Sequence, residues 1–236
     1  MNTLFLLFVA TLVMLVATGM LRYLPGNYRT PALIGLVVWI GYGGLLGWGG
    51  VIGNPALLPP GLFYLLAPIV LFVMFMARSR MGLTVALSFP LGLLMGLESF
   101  RLLVEIFLDQ LWRDGQLPRM MTFHGANFDI LIGASAPVMA WLFASKKISE
   151  RTALLWNVAG IAMLANVAVR GALTTPGSLH LIATEVPNAA IGSFPFSYIP
   201  GLMVPLALVL HVLAIRALRN RMALTVKDGP CEASVH

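Results

Sequence analysis

With 236 residues, 59% of them hydrophobic and only 10% charged, and a mean hydropathy of +0.90, the chain carries more apolar surface than a soluble domain of its length can bury. Lipid is therefore the expected solvent for most of it, with the bilayer as its first partner. The net charge of +6 does not form a nucleic-acid footprint, because the basic residues are sorted by side rather than gathered into a patch.

Eleven of the fifteen Lys and Arg fall in alternate connections between apolar stretches: Arg22, Arg29, Arg78, Arg80, Lys146, Lys147, Arg151, Arg216, Arg219, Arg221 and Lys227. Short cytoplasmic loops retain Lys and Arg during insertion. The pattern predicts an all-α, polytopic, multi-pass integral membrane protein: a bundle of seven transmembrane helices, N-terminus outside and C-terminus cytoplasmic. A bacterial inner (plasma) membrane is the default location. Expected spans are 3–21, 31–52, 62–77, 82–104, 128–145, 153–172 and 198–217, which makes 1–222 one transmembrane domain and 223–236 a flexible cytoplasmic tail.

Taken in order, the first span lacks the basic n-region and small-residue cleavage site of a signal peptide, so it reads as a retained helix. The second is rich in glycine, with Gly43 and Gly47, then Gly49 and Gly53, at four-residue spacing. Small residues on one face let helices approach closely, and a homo-oligomer or a partner membrane subunit is compatible with that face. Pro59 and Pro60 precede the short third span. The fourth can continue as helix to Trp112, and Pro90 within it and Pro137 within the fifth should kink or open them. The long outer segments 105–127 and 173–197 mix apolar and polar residues, a composition that folds back over a bundle or lies on the membrane surface.

Chemistry concentrates in the fourth span. Glu98, Arg101, Glu105, Asp109 and Trp112 recur every three or four residues and share one helix face. Counting up from the cytoplasmic ends at 1.5 Å per residue brings Glu98, Arg101, Asp129 and Arg170 into one layer near the outer edge of the hydrocarbon. Ionisable groups there must face the bundle or water. Arg101 has acids on its own helix; Arg170 has none, so Asp129 or Glu98 is its expected partner. Asn166 shares a face with Arg170. The run MMTFHGANFDILIG from Met120 to Gly133 adds His124 and Asn127, either as the mouth of a pocket or as an Asn/Asp helix start.

The candidate ligand-binding residues are thus Glu98, Arg101, Glu105, His124, Asn127, Asp129, Asn166 and Arg170. Asn157 reads as an inter-helix hydrogen bonder and His211, alone in the seventh span, as a satisfied buried imidazole. No cofactor is expected: bis-histidine haem lacks a second histidine, and the spans contain no Lys for a retinal Schiff base. No metal is expected either, since the spacing of His124, Asp129, His180 and Glu185 matches no ligand pattern and Cys231 is a lone cysteine. Nucleotide loops and hydrolase elbows are absent from the sequence.

The leading expectation is a protein with an outward-facing polar cavity that binds a small polar or anionic solute, in a transport role. Glu98 and Asp129 would respond to protons or cations, and Arg101 and Arg170 would hold anions. The alternatives are an enzyme acting at the outer face, with His124 or Glu98 as general base and catalytic residues otherwise unassigned, and a membrane-anchored sensor or subunit of a larger complex.

Overall fold

Long apolar runs without period-two alternation fold as helices, and among the described residues every regular element is helical. The computed structural model describes residues 1–176 and 180–227. Its helices are α1 (Asn2–Tyr23), α2 (Gly26–Trp48), α3 (Phe63–Arg78), α4 (Arg80–Ser88), α5 (Leu91–Leu97), α6 (Phe100–Arg113), α7 (Asp129–Ala144), α8 (Glu150–Thr174) and α9 (Val204–Lys227).

Four segments are long and apolar enough to cross a membrane: α1, α2, α8 and the stretch Ile199–Thr225 that ends in α9. α3 and α4 pass the same test only as a pair bent by 79°, and α7 is apolar but only 16 residues long. Length and composition therefore support four spans, or five if the bent pair counts as one. The expected fourth span, 82–104, is not one helix. Phe89 and Pro90 are both extended and separate α4 from α5, because proline clashes with a helical residue before it and has no N–H to donate. A second interruption falls at Glu98 and Ser99, where i→i+3 hydrogen bonds from Arg101 to Glu98 and from Leu102 to Ser99 tighten the chain into a turn before α6. Pro137, expected to kink or open the fifth span, lies inside α7, which continues through it as one helix.

α9 is the axis of the bundle. It packs against α3, α4, α5 and α8, and 61% of its apolar window is buried, against 17% for α1 and 11% for α2. The latter two are peripheral. α9 begins in a π-turn, Ile199–Met203. Pro205 cannot donate to the Gly201 carbonyl four residues back, and the Trp39 indole of α2 donates to it instead at 2.6 Å. The glycine face of α2 meets the same region: Gly43 and Gly47 are buried, and Tyr198 and Ser197 occupy the space that side chains at Gly44 and Gly47 would need. The small residues serve close packing within the chain.

At one end of the bundle, Arg216 of α9 closes the α3–α4 bend. Its Nη1 donates to the carbonyls of Met76 and Ser79, which satisfies the exposed C-terminus of α3 with a cation on the favourable end of the helix dipole. Gly82 is needed there, because a Cβ would overlap the Met76 carbonyl and Arg216 Nη1. At the other end the two long connections fold over the helices. The Arg119 backbone amide donates to Glu185, and Asn188 donates to the Gly171 carbonyl and the Thr174 hydroxyl of α8. α9 runs to Lys227; residues 228–236 of the expected tail, with Cys231, lie outside the described residues. Gly82→Ala and Arg216→Ala should each lower the unfolding midpoint in detergent, at a cost of about 1–3 kcal/mol, with Arg216→Lys intermediate; thermal denaturation measures this.

Candidate functional site

Arg101, near the start of α6, is 3% exposed and surrounded by acids and an imidazole. Its Nη2 and Nε lie 2.8 and 3.2 Å from Asp129 Oδ2, and its Nη1 lies 3.6 Å from Glu98 Oε2 and 3.1 Å from His211 Nε2. Glu98 is fully buried, at the interruption between α5 and α6. Asp129 is the first residue of α7, and its backbone amide donates to Asn127 Oδ1, an Asx-type turn that starts the helix. One turn further along α7, a Cβ at Gly133 would sit 2.8 Å from the Leu102 amide nitrogen. The glycine lets α7 press onto the α6 backbone and brings Asp129 to Arg101.

The orientation of His211 follows from its neighbours. Asn157 Nδ2 donates to the Ala153 carbonyl, which turns Oδ1 toward His211 Nδ1 at 2.9 Å. Nδ1 therefore carries a proton. A guanidinium only donates, so Nε2 accepts from Arg101, and the imidazole is neutral in this arrangement. Glu98 Oε1 lies 3.5 Å from the same Nε2, so a proton between the two would be shared by acid and imidazole. Gly160 of α8 supplies the room, because a Cβ there would overlap the imidazole ring.

A second group adjoins this one. Glu105 is 2% exposed; its Oε1 accepts from Asn127 Nδ2 at 2.6 Å, and Asn127 also donates to the Met121 carbonyl. Among the described residues, both oxygens of Glu98, Oε2 of Glu105 and Oδ1 of Asp129 have no hydrogen-bond partner. Three buried carboxyls thus surround a single guanidinium.

Six of the eight residues singled out from the sequence belong to these groups or border them: Glu98, Arg101, Glu105, Asn127 and Asp129 directly, and His124 at the rim. His124 Nε2 is 3.2 Å from Asp109 Oδ1, whose other oxygen holds Arg113. Trp112 and Phe123 pack on the His124 ring, beside a shallow surface basin of about 640 Å³ bordered by Arg119 and Glu185. Arg170 is a correction. It pairs with neither Asp129 nor Glu98; its Nε donates to Asn166 Oδ1 at 2.9 Å, and Asn166 donates to the Ala126 carbonyl. Asp129 is taken by Arg101, and Arg170 stands thirteen residues along α8 from Asn157, about 20 Å. The common outer layer is corrected with it, since the cluster touches α8 at Asn157 and α9 at His211, well inside both helices.

Sequence reasoning treated His211 as solitary. Its signal was the pair of facing polar residues, Asn157 and His211, on two spans otherwise apolar at those positions. His124, Asp129, His180 and Glu185 do not converge, each being engaged elsewhere, and among the described residues no group of three or more His, Cys, Asp or Glu is arranged to hold a metal.

These features define a class: an all-helical protein with four or five helices able to cross a membrane and a buried carboxyl–guanidinium–imidazole cluster between them. Residues 59–219 match the family described as a domain of unknown function, DUF8737, and the chain belongs to that family. No curated protein and no solved structure matches it.

Removing the one guanidinium leaves buried acids uncompensated. Arg101→Ala should therefore cost about 3–5 kcal/mol of stability, whereas Glu98→Gln, which removes a surplus charge and keeps the shape, should be neutral or stabilising. Unfolding midpoints of the two purified variants test the contrast.

Proposed function

We propose that the protein is a seven-span carrier of the bacterial plasma membrane, N-terminus outside and C-terminus cytoplasmic, which moves a small polar solute and uses the Glu98–Arg101–Asp129–His211 cluster to hold and release protons. The observation that carries this reading is the charge imbalance. Glu98, Glu105 and Asp129 are 0, 2 and 6% exposed around one guanidinium, so full ionisation would leave two uncompensated charges in a low-dielectric interior. Such charges cost several kcal/mol each, and bound protons or a cation must offset them. Arg101 already faces Asp129 and Glu98, and the acids around it outnumber it, which turns this site toward protons and cations rather than anions. Arg170 is the guanidinium left for an anionic group.

Two further features support a carrier. Binding sites of carriers sit among discontinuous helices near mid-bundle; here Glu98 lies at a helix interruption, and the π-turn opening α9 borders a cavity lined by Glu105 and Asp129. For the span count, Arg78 and Arg80 are exposed at the α3–α4 bend. Basic side chains at such a bend are costly in hydrocarbon and favourable at the cytoplasmic surface. With Cys231 replaced by Ser, single cysteines at Asn54 and Gln116 should react with an impermeant maleimide from outside, and those at Arg80 and Lys147 from inside only. Labelling of position 80 from outside would make α3–α4 re-entrant and end the seven-span reading.

The carrier reading is tested in proteoliposomes containing a pH-sensitive dye, with gradients of amines, amino acids, sugars and carboxylates applied in turn. At least one class should drive proton movement in the wild type and none in Asp129→Asn; no proton movement with any class would sink the reading. An outer-face enzyme is the second reading, favoured by the contact between His124 and Asp109. His124→Gln should leave solute-driven proton movement intact if the carrier reading holds.

A further inference from the structure

Beside the charged cluster lies a small cavity of about 70 Å³, bounded by α3, α6, α7, α8 and the start of α9. Val104, Leu108, Val167, Ile191 and Val204 form aliphatic walls, and Glu105 and Asp129 line it together. Each of these carboxyls has one oxygen tied down, Glu105 by Asn127 and Asp129 by Arg101. Each leaves its other oxygen buried without a partner. Two anchored acids with free acceptors therefore border an otherwise hydrocarbon space.

We infer that this cavity is a binding site for a small primary alkylammonium ion, held by N–H donation to Glu105 and Asp129 with its alkyl part against the aliphatic walls. An anion is opposed by both carboxylates. A metal cation needs four to eight oxygen or nitrogen ligands, and these walls offer two carboxyls among aliphatic side chains. A hydrocarbon cavity of about 150 Å³ takes benzene, so roughly half that volume suits three or four heavy atoms, the size of ethyl- or propylammonium. Charge-assisted donation to a desolvated carboxylate supplies the affinity, and the short walls limit the chain length. The inference names the solute of the proposed carrier and rests on that reading.

The test uses the full chain purified in detergent, titrated with ethylammonium chloride and followed by calorimetry and thermal unfolding. Sodium chloride and tetramethylammonium chloride at equal ionic strength are the controls, the latter having no N–H to donate. Saturable binding and a raised unfolding midpoint are expected with ethylammonium alone. Glu105→Gln, which can still accept from Asn127, should weaken binding by about tenfold or more, and Val167→Phe should abolish it by filling the space. No ethylammonium effect, an equal effect of sodium, or full affinity in Glu105→Gln would each overturn the inference. Proton movement driven by another solute, without ethylammonium binding, would defeat this site and leave the carrier standing. Ethylammonium binding without any flux would do the reverse.

Discussion

The Arg101 guanidinium is the contact on which the rest of the interior depends. It reaches Asp129 at the start of α7, Glu98 at the interruption before α6, and His211 in the middle of α9, which is itself held to α8 through Asn157. One side chain thereby fixes the relative positions of the elements that form the centre of the bundle. Four or five helices are long and apolar enough to cross a membrane, and helices that face hydrocarbon gain nothing from further apolar burial against each other. Polar contacts and close packing must then set the arrangement, and both occur at the same place. Gly133 and Gly160 remove exactly the side chains that would keep α7 and the imidazole away.

The same centre is under-neutralised, with three buried carboxyls near one guanidinium. A buried ion pair contributes little net stability once desolvation is counted, and extra acids with unpartnered oxygens subtract from it. A chain selected for stability alone would do better with apolar residues of similar volume at Glu98 or Glu105. The burial of Glu105 beside a cavity and of Glu98 at a helix interruption has a physical rationale when the charge they hold can change.

Helix discontinuity also accounts for the span count. Pro90 separates α4 from α5 and the turn at Glu98 and Ser99 separates α5 from α6, and α3 with α4 bends by 79° around a turn that Gly82 permits and Arg216 secures. Breaks shorten the individual helices below the length of a simple span. They also expose backbone groups, which side chains from distant segments then satisfy, as Trp39 and Arg216 do.

Apart from the breaks within 82–104 and the reach of α9 to Lys227, hydropathy and spacing suffice for the helical class, the apolar segments, the glycine face of α2 and the grouping of Glu98, Arg101, Glu105, Asn127 and Asp129 as polar candidates. Those properties are local: hydropathy, spacing along one helix and turn chemistry are written in consecutive residues. Packing in three dimensions settles that Arg101 rather than Arg170 takes Asp129, that His211 joins the cluster, and that the cluster lies well inside α8 and α9. Counting residues gives distance along an axis, but it assumes straight, parallel rods that all start at one surface. The break at Pro90 and the inward start of α7 violate that assumption, and the rotation of each helix about its axis, which selects partners, is set by packing against its neighbours.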